Sequence, residues 1–389
     1  MHQLTLVTND KKLERYNILS SGFLPFIPSV KTNRIAYAAA HVVPDPLRQV
    51  NPLSSESAID WDATLAYREY LWSMGFKVAE AMDTSQRGMG LDWKTSRELI
   101  ERSIALAKTT PGADLACGAG TDQITDFSHL TLDDVKKAYI EQIEAVEAAG
   151  GRVILMASRA LASVAKNRDD YISLYSELIQ GCQSPVILHW LGEMFDANLK
   201  GYWGSNDVSV NMQTVLDIIG ENEAKVDGIK ISLLEKEYEF SLRKALPESV
   251  KMFTGDDFNY PELIEGDGEY HSHALLGIFD PIAPVAARAL EQLALGKNDE
   301  YRALMEPTIA LSRKIFEAPT QYYKAGVVFL AWLNGHQAHF CMAGGMQSAR
   351  SISHYCEVFR LADAAGVIKD PQLAIQRMKS WLQVHGINQ

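Results

Sequence analysis

Eight short apolar runs alternating with longer helical stretches, no G-x-G-x-x-G after the first run, and a tail that reads only as helix beyond residue 281 predict an α/β protein. The architecture expected is a (β/α)8 TIM barrel with a C-terminal helical extension. The strand candidates, in order, are RIAYAAAHVV, FKVAEAMD, ADLACGAG, RVILMAS, PVILHW, DGIKISLL, VKMFTGDD and ALLGIFD. An open, doubly wound sheet that binds a dinucleotide carries its glycine fingerprint directly after the first strand, which argues for the closed barrel.

The stretches between these runs carry helix boundary signals. SHLTLDDVKKAYIEQIEAVEAAGG opens with Thr131 three residues before Asp134, a capping-box spacing, and closes on Gly150 and Gly151. AIDWDATLAYREYLWSMG and DWKTSRELIERSIALAKTTPG show helical periodicity ended by Gly or Pro-Gly. Past residue 281, IAPVAARALEQLALG, EYRALMEPTIALSRKIFEA, QYYKAGVVFLAWLNG, ISHYCEVFRLADAAG and PQLAIQRMKSWLQV read as consecutive helices. The first of these is expected to close the barrel. The division expected is an N-terminal segment over 1–33, the barrel over 34–296 and a packed helical extension over 297–389.

Composition narrows the function classes. The 389 residues are 47% hydrophobic and 22% charged, ordinary for a globular protein with a large core. A net charge of -12, from 49 acidic against 37 basic residues, repels phosphate backbones and anionic lipids. Neither a nucleic acid nor a membrane is expected as partner. MHQLTLVTNDKK turns polar too early for a secretory leader, and AGVVFLAWL is too short to cross a bilayer. Cys117, Cys182, Cys341 and Cys356 form no C-x-x-C pair and read as free thiols, consistent with a cytoplasmic location.

Strand alternation then sorts residues by face. In GIKISLL, Ile229, Ile231 and Leu233 share one phase, and Gly228, Lys230 and Ser232 share the other. The apolar phase belongs under the helices, which places Lys230 and Ser232 inside the barrel. A buried ammonium is costly unless paired or put to use. Barrel enzymes act at the C-terminal ends of their strands, so the residues there are candidates: His189 in PVILHW, the hydrogen-bonding run Asp83, Thr84, Ser85, Gln86 and Arg87, and Arg159 after the fourth strand. Glu80, Asp122, Asp256 and Asp257 fall in the same zone. His271 and His273 have metal-like spacing but precede the eighth strand, so they belong at the opposite end of the barrel. His336 and His339 fall in the extension and read as core or interface residues.

These pieces together resemble the dihydrodipicolinate synthase / N-acetylneuraminate lyase family of class I (Schiff-base) aldolase barrels, over roughly residues 34–370. DGIKISLL looks like that family's GIKD(S/T)S strand, and the resemblance puts the imine-forming role on Lys230. AMDTSQRG stands where the family has GTTGE, so Thr84 and Ser85 match its carboxylate-binding hydroxyls. GAGTDQ, PVILHWLG, FTGDDF and ALLGIFDPIAP occupy the places of further family motifs, and His189 stands where the family keeps a tyrosine for proton transfer. The departures mark a divergent branch: Gln86 and Arg87 replace a glycine and a glutamate, and MASRALA lacks the strand-four tyrosines.

The resemblance implies a lyase, aldolase or dehydratase acting on a 2-oxo acid, expected to be sugar-derived, with Lys230 and His189 catalytic. Asp83, Thr84, Ser85, Arg159, Ser232 and Asp256 would bind the substrate. It implies no cofactor and a homo-oligomer, a dimer or tetramer. Two other readings stay open from the residues: a metal-dependent sugar isomerase or epimerase using His41, Glu80, Asp122 and His189, and a non-catalytic barrel that binds a sugar acid.

Overall fold

The computed structural model describes residues 3–23, 26–48 and 57–389. A two-stranded antiparallel hairpin, β1 (Gln3–Val7) and β2 (Leu13–Asn17), precedes the barrel. The barrel strands are β3 (Ala36–Ala39), β4 (Lys77–Glu80), β5 (Leu115–Ala119), β6 (Arg152–Leu155), β7 (Val186–Leu191), β8 (Val226–Ser232), β9 (Lys251–Thr254) and β10 (His273–Leu276). They close in the order β10-β3-β4-β5-β6-β7-β8-β9, all parallel. Each matches one of the eight runs expected from sequence, with β7, β8 and β10 reaching one residue beyond theirs.

The helices form for the reasons their sequences give. Thr131 and Asp134 close the reciprocal capping box of Leu132–Ala149, and Gly150 ends that helix at a φ of 92°. Asp60 and Asp92 cap Trp61–Ser73 and Trp93–Thr109 by accepting from backbone amides. The helix Ala283–Ala294 follows the last barrel strand. Asn298–Ile315, Tyr323–Leu333, Ile352–Ala364 and Pro371–Val384 follow as the expected helical extension. Among the described residues no helix is long and apolar enough to cross a membrane.

Two apolar layers result from strand alternation. Tyr37, Ala39, Ala79, Ala116, Ile154, Ile187, Phe253 and Leu275 point inward and pack with Met82 and Met156. Val78, Leu115, Cys117, Val153, Leu188, Ile229, Ile231 and Met252 belong to the cluster beneath the helices. Inside the barrel, the Tyr37 and Phe253 rings meet edge to face at 5.8 Å and the Arg152 guanidinium donates to the Tyr37 hydroxyl, which fills the space toward the N-terminal ends of the strands. His273 opens β10 at that same end and accepts from the Ile35 amide, far from the mouth.

The N-terminal hairpin was not expected from sequence. Its first strand buries Leu4 and Leu6, whereas its second is almost entirely exposed and has little apolar signal. The hairpin docks on the last helices: the Val7 amide donates to Cys356 Sγ, and the Tyr16 hydroxyl and the Leu19 and Ser20 amides donate to the Asp363 carboxylate. The two ends of the chain are thereby joined on one side of the barrel.

One buried acid has a measurable consequence. Glu239, on the helix Lys236–Ala245, accepts from the Ser272 hydroxyl through one oxygen and leaves the other without a partner. Burial pushes its carboxyl up to about 8, with the nearby Asp256 charge adding to the effect. The acid therefore binds a proton in the folded chain at a pH where the unfolded chain has lost it, so it costs stability increasingly as pH rises from the ordinary carboxylate range toward 8. Glu239→Gln is expected to be more stable than the wild type at pH 9, by on the order of 5 kcal/mol and with a correspondingly higher melting temperature, and to gain nothing near pH 4. Thermal melts of both proteins across that range check it; a constant offset between them would refute the assignment.

Candidate active site

The site is built on β8. Lys230 sits on the inner phase, directly opposite His189 of β7 in register and beside Phe253 of β9. Glycine makes room for it. A Cβ on Gly255 would come within 2.5 Å of Lys230 Cε and closer still to Ser232 Oγ, and one on Gly228 would meet the Phe253 ring at 2.6 Å. Lys230 is 8% exposed, and among the described residues no hydrogen bond or ion pair engages its amine. Burial pulls its pKa down, against the opposing pull of the Asp257 and Asp83 carboxylates.

Lys230 lines a small cavity of about 20 Å³ with Ser232, Asp83, Thr84, Asp257 and Tyr323. That volume holds about one water. It adjoins a chamber of about 750 Å³, and Asp83 and Leu191 line both. The chamber mixes apolar walls, among them Trp93, Ile124 and Phe127, with Thr121, Ser158, Asp122 and His189.

The predicted residues divide between these spaces. Lys230, Ser232, Asp83 and Thr84 line the cavity, and the buried Ser232 hydroxyl has no partner. Thr84 lies in the turn Asp83–Ser85 after β4, with Oγ1 2.7 Å from the Tyr323 hydroxyl. Ser85 is turned into that turn and donates to the Met82 carbonyl, so its hydroxyl does not face the cavity. His189 lines the chamber with both ring nitrogens buried and unpartnered. Burial and the neighbouring Lys230 charge hold its pKa well below the usual imidazole range, so the ring is neutral. Arg159 also lines the chamber, but its guanidinium is ion-paired with Asp196.

Asp256 is placed elsewhere. Its carboxylate accepts from the Phe258 and Asn259 amides and the Asn259 side chain, holding the turn into Tyr260–Glu265. The adjacent Asp257 faces Lys230 instead, accepts from the Ile278 amide, and is pushed up to about 7 by burial. Glu80 points outward to the helices, in a fork with Arg68 at 2.8 and 2.9 Å. His41 is held at 2.8 Å by Asp280, beneath the Tyr67 ring. The set His41, Glu80, Asp122 and His189 therefore does not converge, and among the described residues no group of His, Cys, Asp and Glu has the arrangement of a metal site.

Gln86 and Arg87, the residues that depart from the GTTGE pattern, have structural work. The Gln86 amide exchanges two hydrogen bonds with the backbone of Ala343 in the extension, tying the β4 loop to it. Arg87 reaches Asp122 Oδ1 with two nitrogens, at 3.0 and 2.7 Å, and stacks on Trp93, linking the loops after β4 and β5.

Tyr323 is the cavity residue that strand-by-strand reading misses, because it arrives from the extension. It opens the helix Tyr323–Leu333, stacks on Phe316 with ring centroids 4.3 Å apart, and is 4% exposed. The adjacent Lys324 is buried behind it and donates to the Gln321 carbonyl, with its pKa pulled down to about 8 by burial.

Solved structures share this fold. Dihydrodipicolinate synthase from Aquifex aeolicus superposes with a TM-score of 0.61 at 12% identity, covering 91% of this chain and 98% of its own. A putative dihydrodipicolinate synthetase from Pseudomonas aeruginosa gives 0.65 at 12% identity, covering 85% and 99%. The chloride-inhibited dihydrodipicolinate synthase from Acinetobacter baumannii, complexed with pyruvate, gives 0.57 at 14% identity, covering 87% and 100%. No curated protein matches the chain by sequence. The family model described as "Protein of unknown function (DUF993)" matches residues 4–387, and the chain belongs to that family.

Proposed function

We propose that this protein is a Schiff-base-forming lyase, an aldolase or dehydratase, that acts on a sugar-derived 2-oxo acid through an imine on Lys230. One observation carries the reading: a buried lysine amine without a hydrogen bond, lining a small cavity at the C-terminal mouth of a barrel. Desolvation lowers the pKa of the amine and so raises the share that is uncharged, which is the form that attacks a carbonyl. The protonated imine then draws electrons from the neighbouring carbon, so that a C–H or C–C bond there can break. The cavity alone is too small for the substrate, and the adjoining chamber supplies the room at Asp83 and Leu191. The Thr84 and Ser232 hydroxyls, which line the cavity, are assigned to orienting the carboxylate. The chamber's hydroxyls, carboxylates and the neutral His189 suit a hydroxylated chain. Complexation with pyruvate in the structurally similar synthase from Acinetobacter baumannii supports the choice of 2-oxo acid. As in the resembling family, the active form is proposed to be a homo-oligomer.

Borohydride reduction in the presence of pyruvate or 3-deoxy-2-oxo sugar acids, followed by intact mass and peptide mapping, tests the imine. The expected result is a covalent adduct on Lys230 that is lost in Lys230→Ala. Lys324, the second buried lysine with a lowered pKa, is the internal control. No adduct across the panel, or one that persists in Lys230→Ala, would overturn the reading.

The pH dependence has a definite sign. The rate of adduct formation is expected to rise with pH as the amine deprotonates, with a midpoint below the ordinary lysine value of about 10.4. The Asp257 carboxylate favours the charged amine, so Asp257→Asn is expected to move that midpoint down. A midpoint that stays put or moves up, read from initial trapping rates, would exclude Asp257 as the partner charge.

A further inference from the structure

Accepting the imine on Lys230, the chemistry still requires a group that carries a proton to and from the reacting atoms. His189 is poorly placed for this. It lines the chamber and not the cavity around Lys230, and an imidazolium there would stand next to a second cation in a dry barrel. Tyr323 lines that cavity, and its hydroxyl lies 2.7 Å from Thr84 Oγ1. The ring is locked on its other sides. Phe316 stacks on it, Phe195 meets it edge-on at 6.3 Å, and the missing side chain of Gly277 leaves space where a Cβ would lie 3.1 Å from Tyr323 Cε2.

We propose that Tyr323, brought by the first turn of a post-barrel helix and hydrogen-bonded to Thr84, is the catalytic acid and base for the Lys230 imine. Burial, reinforced by the Asp83 and Asp257 charges, keeps its phenol protonated at rest, which is the form an acid needs. The Lys230 amine adds to the carbonyl, and a proton passes from nitrogen to oxygen to give the carbinolamine. Tyr323 gives its proton to the departing hydroxyl, so that water leaves and an iminium stands beside a tyrosinate. That cation stabilises the phenolate, which next takes a proton from carbon 3. The electron pair of the C–H bond moves into the enamine, and the phenol is restored. Thr84 is a positioning residue, its hydroxyl fixing the direction of the phenolic O–H.

The steps separate experimentally with pyruvate as probe and the full chain as catalyst. Borohydride trapping at long times reads how much imine forms, and exchange of the methyl protons in deuterated water, followed by proton NMR, reads proton transfer. Tyr323→Phe keeps the stacked ring and removes one oxygen. The expected outcome is an adduct of wild-type extent with exchange slowed at least about 100-fold. Thr84→Val is expected to slow exchange as well, and Thr84→Ser to restore most of it. Should Tyr323→Phe melt early, the two Thr84 variants carry the test. An intact adduct with exchange within about threefold of wild type in Tyr323→Phe would overturn the assignment while leaving the imine standing. Absence of both adduct and exchange in the wild type would instead overturn the imine itself, and this inference with it.

Discussion

A charged amine inside a closed ring of strands is the constraint on which the rest of this site depends. The interior is filled by apolar side chains, and Lys230, in register with Phe253, is the buried amine set among them. Burying an ammonium costs several kcal/mol unless its charge is matched or given up. Here both happen in part. Asp257 faces the amine and favours its charged form, while burial favours the neutral form of both groups and has already raised Asp257 to about 7. Burial thus works against the charged form of both groups while each favours the charge of the other, a setting in which nucleophilic lysines are found. The glycines follow from the same constraint. Gly228 and Gly255 stand where any side chain would displace either Phe253 or the lysine.

The extension completes this arrangement. Tyr323, backed by the stacked Phe316 ring, walls one side of the cavity, the Ser312 hydroxyl donates to the Asp257 carbonyl, and Gln86 binds the backbone at Ala343. The loops after β4 and β9 are thereby tied to three parts of the extension. The hairpin at the N-terminus braces the helices that follow, through Cys356 and Asp363. Loops at a barrel mouth are ordinarily its most mobile parts, and here the β4 loop is pinned from above. Gln86 holds a φ of 65°, a conformation that costs a residue with a side chain about 1 kcal/mol, and its two amide hydrogen bonds offset that cost.

The barrel was legible because its signals are local. Each strand is a short apolar run, and alternation alone put Ile229 and Ile231 under the helices and Lys230 and Ser232 inside. The same alternation, applied to KVAE, would have turned Glu80 outward, since Ala79 is the inward residue. Phase stops being informative where a strand ends, which is why Asp256 was expected in the site and Asp257 occupies it. Ser85 was misplaced for the same reason, one residue into a turn. Tyr323 lay beyond any local rule. It sits in QYYKAG at the head of an apolar helix, and only the packing of that helix over the mouth brings its hydroxyl to Thr84. The β2 strand, polar and exposed, shows its identity only in its pairing with β1.

His189 gains a different meaning once Tyr323 is in place. In register it is the direct neighbour of Lys230, and two cations at that distance in a low-dielectric interior would repel by several kcal/mol. Burial removes the conflict by keeping the imidazole neutral, and a neutral imidazole offers one donor and one acceptor, both without protein partners. Buried polar atoms are left unpaired only rarely, and such atoms facing a chamber are met by water or by a ligand. In the proposed reaction the labour is divided accordingly. The cavity with Lys230, Thr84 and Tyr323 handles bond making and proton transfer, and the chamber with His189 reads the hydroxylated remainder of the substrate. A tyrosine on β7 would have joined the two tasks in one side chain; a neutral histidine there separates them, and that separation is what requires a proton carrier from outside the barrel strands.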